Sequence, residues 1–181
     1  MAAFLCEGFK QGDSLIVVAT PKNWEAISTH LVRAGCDLTG ALAVSRVTVR
    51  DANITLREFM RNGLPDSILF HRVLGDVVRD RVKQPGGLRI YGEMVELLAE
   101  EANFHGAQRL EELWNEMAVR HSFVLMCAYS AVHFVAHDRE ALARICAAHT
   151  HVHADPNDQL SHWLIGRDSQ AWTSVPPPAV S

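Results

Sequence analysis

Five side chains combine a reactive or ligand-holding type with a suggestive position: Glu93, Trp114, Cys127, Tyr129 and His149. Glu93 follows the apolar run Leu88–Tyr91 and a glycine, Gly92. A carboxylate placed there can bind a cation, accept a ligand hydrogen bond or act as a base. The competing role is plainer, because a carboxylate beside a helix N-terminus is favourable by about 0.3–1 kcal/mol through the helix dipole. Cys127 lies inside the apolar run Ser122–Tyr129. A buried cysteine behaves as a small hydrophobe, and a reactive thiolate needs a cation or helix N-terminus nearby. Tyr129 and Trp114 suit either a core or a ligand wall. His149, His151 and His153 alternate, so in a strand they share one face. Three imidazoles suit zinc, copper or nickel, but HxHxH with no cysteine close by matches no strong zinc signature. His133 and His137 stand four residues apart, the spacing of a shared helix face.

The elements that position these groups are legible in the periodicity. Residues 2–11 read as a helix with Phe4, Leu5 and Phe9 on one face, closed by Gly12. Ser14–Thr20 is a continuous β-branched apolar run, the pattern of a strand buried on both faces. Thr20-Pro21 opens a helix as cap and first residue, which Gly35 ends. Asp37–Ser45 reads as a short helix or turn. Arg46–Arg50 is a short strand whose charged ends suit a sheet edge. Asp51 or Asn53 caps the next helix, and residues 62–66, Asn-Gly-Leu-Pro-Asp, form a loop. Ser67–Val82 carries an apolar stripe of Phe70, Val73, Leu74, Val77, Val78 and Val82, the clearest helix in the chain. Then come a strand at Leu88–Tyr91, a short helix at Glu93–Glu100, a turn at Asn103–Gly106, a helix at Ala107–Arg120 and a strand at Ser122–Tyr129. Asp138 caps a further helix bearing Leu142, Ile145 and Cys146, and residues 149–153 read as partly extended.

Strands alternate with helices, and the connections look too long for hairpins. That pattern calls for βαβ units in a mainly parallel sheet with helices on both faces, an α/β fold. In such sheets ligands bind beyond the carboxyl ends of the strands. The strand ends Thr20, Arg50-Asp51, Gly92-Glu93 and Cys127–Tyr129 therefore mark one candidate rim.

Composition narrows the class. With 181 residues, 48% hydrophobic and 21% charged, the chain suits a soluble globular domain. At this size folding removes roughly 70% of the unfolded surface from water. The net charge of -4, with acids and bases interspersed, gives no basic stripe for nucleic acid and no polybasic run for a membrane. No apolar run approaches the ~18 residues of a membrane span, and the N-terminus lacks a signal-peptide pattern. A cytoplasmic location is expected, with the four cysteines, Cys6, Cys36, Cys127 and Cys146, as free thiols. The GxxxxGK[ST] phosphate loop, a GxGxxG after a strand, a GxSxG elbow and HExxH are all missing. Nucleotide hydrolysis, dinucleotide redox chemistry and serine hydrolysis lose weight accordingly, and no cofactor is expected.

Three blocks in order carry a family resemblance: residues 89–95 (RIYGEMV), 110–115 (LEELWN) and 123–129 (FVLMCAY), followed by 145–149 (ICAAH). Weaker similarity covers Ser14–Pro21 and Val47–Phe59. In these the chain resembles the MEDS family, the sensory domain named after methanogens, methylotrophs and the dichloromethane-metabolism regulator. The resemblance implies a RecA/KaiC-like three-layer sandwich without a working phosphate loop and a role in bacterial or archaeal signalling. It also implies a small organic ligand, such as a hydrocarbon derivative, and a histidine kinase or DNA-binding regulator as signalling partner. Glu93, Trp114, Cys127, Tyr129 and His149 carry over as motif positions. The family pattern begins with a further strand bearing a histidine and an aromatic pair before the equivalent of Phe4. That part is absent from residues 1–181: either the true start lies upstream or the domain is trimmed, and a missing strand would leave a sheet edge exposed or invite pairing with another chain. Since no kinase or DNA-binding domain is read after Asp155, the expectation is output through a partner protein, or else a degenerate copy of the domain.

The expected organisation is a sensory domain over residues 1–155 and an extension over 156–181 whose end is disordered. The leading function is a non-enzymatic sensor holding its ligand at the carboxyl rim. A protein-interaction or dimerisation module is the second reading. A metal-binding protein or residual enzyme using Glu93, Cys127 and the His149–His153 cluster is the third. No nucleic-acid or membrane partner is expected.

Overall fold

A computed structural model describes residues 1–130, 132–134 and 139–152. Its centre is a four-stranded, all-parallel sheet. The strands are β1 (Ser14–Ala19), β2 (Val47–Asp51), β5 (Leu88–Gly92) and β6 (Val124–Cys127), in the order β2-β1-β5-β6. All six residues of β1 are buried, as expected of a strand with neighbours on both sides and helices on both faces. The registers align Val17 with both Val49 and Tyr91, and Tyr91 with Met126.

Alternation along the strands sorts two cores. Leu15, Val17 and Ala19 of β1, with Tyr91 of β5, face helices α1 (Ala2–Gln11), α2 (Pro21–Arg33) and α3 (Leu38–Ala43) through Leu5, Ile27, Leu31 and Leu38. Ile16, Val18, Leu88 and Ile90 face the other way. There they meet α4 (Ala52–Phe59), the helical segment Ser67–Arg81, α7 (Met94–Glu100), α8 (Phe104–Ala118) and α9 (Arg139–Ala147). The result is a three-layer α/β/α sandwich. Trp114 is the centre of the larger core, 1% exposed. Its ring meets Phe70 edge-on at 5.1 Å and Phe123 at 6.2 Å, and Phe59 packs on Phe70 at 5.4 Å.

Side-chain caps set most helix starts. Thr20, Asp37, Asp51, Asp66 and Asn103 each accept from a backbone N–H three residues on, which satisfies a donor the helix itself cannot. Gly12 closes α1 at φ 89°, a conformation that favours glycine. Arg89 ties α1 to the sheet. Its guanidinium reaches Asp13, Glu7, Gln11 and the Phe4 carbonyl, and lies 5.1 Å over the Phe4 ring.

Several boundaries depart from the sequence reading. The loop at residues 62–66 belongs to a small antiparallel hairpin of β3 (Met60–Arg61) and β4 (Leu64–Pro65). Asn62 and Gly63 both have positive φ, 51° and 80°, the requirement of a type I′ turn. The connections are therefore not all too long for hairpins. The helix at 67–82 is interrupted: α5 (Ser67–Phe70) passes through a π-helical turn, His71–Gly75, into α6 (Asp76–Arg81). The turn at Asn103–Gly106 is instead the capped start of α8. The strand read over Ser122–Tyr129 is shorter, and it pairs only with β5 among the described residues. Its Val124 is 57% exposed. β2 does lie at a sheet edge. Asp138, His137, His153 and the extension over 156–181 lie outside the described residues. No described helix is long and apolar enough to cross a membrane.

Candidate functional site

The strand order reverses direction at β1. The chain leaves β1 for β2 on one side and later places β5 on the other. In doubly wound sheets the carboxyl ends of two such strands part, and the crevice between them is the usual ligand position. Here the ends are Thr20, which caps α2, and Gly92-Glu93, which precede α7.

Glu93 occupies this reversal point and is 4% exposed. Its backbone N–H donates to the Val18 carbonyl (3.2 Å). Its Oε2 accepts from Thr20 Oγ1 (3.2 Å) and from Asn23 Nδ2. Its Oε1 has no hydrogen-bond partner among the described residues. Burial pushes the Glu93 carboxyl above its ordinary range, the hydrogen bonds from Asn23 and Thr20 oppose this, and the nearby Glu96 adds to it. Glu93 holds the N-cap position of α7 but caps it with no side-chain hydrogen bond; its carboxylate is engaged by Thr20 and Asn23 instead. Beside it Gly92 is buried. A Cβ added there would meet no described heavy atom within 4 Å, so the end of β5 has unfilled space on the face opposite Tyr91.

A second polar group gathers at the end of β6. Gly92 pairs in register with Cys127. Cys127 Sγ stands 3.5 Å from Oε2 of Glu111, a residue of α8. The same oxygen lies 3.4 Å from His149 Nε2. His149 Nδ1 contacts the Ile145 carbonyl at 2.8 Å, which assigns its proton to Nδ1 and directs Nε2 at the carboxylate. Tyr129 lies beside this group. Its hydroxyl is 4.0 Å from Cys146 Sγ, and its ring is 6.4 Å from that of His149. Burial is the chief cause that raises Glu111, Cys127, Cys146 and Tyr129, and the Glu111 charge further raises the last three. The Cys127 thiol is thus held protonated, the opposite of an activated nucleophile.

The structure therefore brings Cys127, Tyr129 and His149 together and leaves Trp114 within the aromatic core. Glu111, not Glu93, stands beside Cys127 and His149. Sequence reasoning passed over Glu111, yet a signal existed: it lies four residues after Ala107 and three before Trp114, on the apolar stripe of α8. A carboxylate on that stripe must be buried or break the pattern. A third cluster joins Glu96 to the Ser130 N–H (2.6 Å) and to His133 Nε2 (3.3 Å). Two shallow surface depressions lie away from the β1–β5 crevice. One is lined by Glu111, Gln108, Arg144, Ile145 and Ala148, the other by Ala3, Cys6, Glu7 and Lys10 of α1.

The class these features define is an α/β/α domain with a parallel sheet and polar groups collected at the carboxyl ends of its strands. Residues 1–150 match the family described as MEDS, the methanogen/methylotroph, DcmR sensory domain, and the chain belongs to that family. Its role is accordingly sensory and in signalling. No curated protein and no solved structure matches the chain.

Proposed function

We propose that the domain is a non-enzymatic sensor that binds a small, partly apolar organic molecule at the carboxyl rim, between the ends of β1 and β5. One observation carries this reading: a buried carboxylate with a free oxygen stands at the point where the strand order reverses, and the neighbouring glycine leaves open space at the end of β5. The space accepts an apolar group. Glu93 Oε1 accepts a hydrogen bond from a hydroxyl or amine of the ligand. Because Glu93 also holds Thr20 and Asn23 of α2, a ligand that moves the carboxylate moves the start of that helix. Signalling then is a population shift, which requires unequal affinity for the two arrangements. The output passes to a partner protein, a kinase or regulator, within the cytoplasm. Kinship with the RecA/KaiC-like ATPases belongs to the same proposal, supported by the all-parallel three-layer arrangement.

Thermal unfolding with a panel of short-chain alcohols, amines, aldehydes and halogenated methanes tests it. A ligand at 100 times its dissociation constant stabilises by about 2.7 kcal/mol, an easily read rise in Tm. Gly92→Ala should fold normally, since strand alanine is favoured over glycine by about 0.5–1 kcal/mol, and should abolish the ligand-induced rise. No response from any panel member, or a response unchanged in Gly92→Ala, sinks this site.

A further inference from the structure

We infer that Glu111, Cys127 and His149 form a binding site for a divalent transition-metal ion of the zinc type, at the end of β6 and separate from the β1–β5 crevice.

The first argument is distance. Ligand atoms around a tetrahedral zinc, with bonds of 2.0–2.3 Å, stand roughly 3.3–3.8 Å apart. Cys127 Sγ and Glu111 Oε2 are 3.5 Å apart, and His149 Nε2 and Glu111 Oε2 are 3.4 Å apart. One ligand atom from each residue lies within 4.8 Å of the other two. Two of the three spacings are those of a coordination shell, and the third atom pair lies within reach of one ion.

The second argument is hydrogen-bond chemistry. Nδ1 of His149 donates to the Ile145 carbonyl, which leaves Nε2 as the ring nitrogen aimed at Glu111. Nε2 faces a carboxylate oxygen at 3.4 Å, a contact that is favourable only with a cation or a proton between the two atoms. A metal-ligating histidine commonly has its other nitrogen held in this way by a backbone carbonyl. Glu111 supplies an independent sign of a ligand. It is 2% exposed, and its Oε1 has no hydrogen-bond partner among the described residues. A buried carboxylate with one free oxygen is costly unless a cation compensates it.

The third argument is charge and access. A divalent ion with a thiolate, a carboxylate and a neutral imidazole is a neutral unit, which suits burial. Binding displaces the Cys127 proton, which passes to solvent. Three protein donors leave one tetrahedral position for water or a ligand, the arrangement of open zinc sites. Glu111 also lines a surface depression with Gln108, Arg144, Ile145 and Ala148, a route for the ion. The other cluster, Glu96, Glu100 and His133, is less built: Glu100 is exposed and the Ser130 N–H already holds Glu96.

Cobalt(II) titration of the full chain, first stripped with chelator, tests the site. We expect one equivalent bound, a thiolate-to-cobalt charge-transfer band in the near ultraviolet, and competition by zinc. Cys127→Ser should lose the band. Glu111→Gln should weaken binding by at least tenfold, the loss that follows disruption even of the shell around metal ligands. Cys36→Ser should keep the band. This control matters because Cys36 Sγ lies 3.8 Å from Cys6 Sγ, a pair of thiols on the other face of the sheet that could bind the ion instead. Circular dichroism confirms that each variant is folded, and His149→Ala replaces any that is not. Folded wild-type protein that binds no cobalt at millimolar concentration overturns the inference. A band that survives Cys127→Ser and vanishes in Cys36→Ser overturns it equally.

Discussion

Glu93 shows how one side chain can be both a structural link and a liability. Its carboxylate joins two loops across the strand reversal through Thr20 and Asn23, yet burial holds its pKa above the ordinary value of 4.5. The sign of the resulting pH dependence follows from linkage. When the folded pKa is raised, the unfolded chain gives up its proton first. The contribution to stability is then fully present below about pH 4.5 and is lost as pH rises through the raised value. Glu93→Gln removes the titration while keeping an acceptor for Asn23 and Thr20. The stability advantage of Gln over Glu should therefore grow from pH 4 to pH 7, read by urea denaturation at each pH. A difference independent of pH would show that the folded carboxyl is not raised.

At the scale of elements, α8 holds much of the arrangement together. It carries Trp114 into the aromatic core and Glu111 to the end of β6, and Asn115 Nδ2 donates to the Ala148 carbonyl (3.2 Å), which fastens the segment bearing His149. Asn103 begins this helix. Its Oδ1 accepts from the Gly106 N–H (2.9 Å), while Nδ2 donates to the Gly63 carbonyl at the tip of the small hairpin (2.7 Å). Asn103→Ala therefore removes a cap and a tertiary bond together. The cap alone is worth about 0.5–2 kcal/mol and the second bond about 1 kcal/mol. An expected loss of about 2 kcal/mol, measured by chemical denaturation, should be only about half restored by Asn103→Asp, which keeps the acceptor for the Gly106 N–H but has no donor for the Gly63 carbonyl.

At the scale of the molecule, two cores share one sheet, and the larger depends on a cluster of aromatic rings. A domain of this kind is stable by only about 5–15 kcal/mol, and truncating a buried Trp or Phe to Ala costs about 3–5 kcal/mol. Trp114→Ala should therefore remove a large share of the total, seen as a fall in the urea midpoint with little change in slope. A loss below about 1 kcal/mol would mean that Trp114 is not packed as described and would revive its role as a ligand wall. Any such loss belongs to the whole fold, because α4, the helices on either side of the π-helical turn, α8 and β5 all meet in this core.

How much was legible in advance differs with scale, for physical reasons. Strand and helix identity rests on local periodicity and caps, so the α/β class, the Thr20 cap and the edge position of β2 were readable from residue order alone, while the choice of Asp51 over Asn53 as cap was not. The Asn62-Gly63 turn was visible as turn residues, but pairing of two-residue strands depends on neighbours beyond the local window. The π-helical turn leaves the apolar stripe intact and so leaves no mark in the pattern. Glu93, Cys127 and His149 stood out by position. Their company did not, because it depends on which strands are adjacent and on the depth at which α8 packs. The sequence by itself determined the four long strands, the main helices, their order and the polar residues at strand ends. Only the tertiary structure decided that Glu93 turns to Thr20 and Asn23 while Glu111 takes the place beside Cys127 and His149: side-chain pairing across 38 or 73 residues is set by packing, not by spacing.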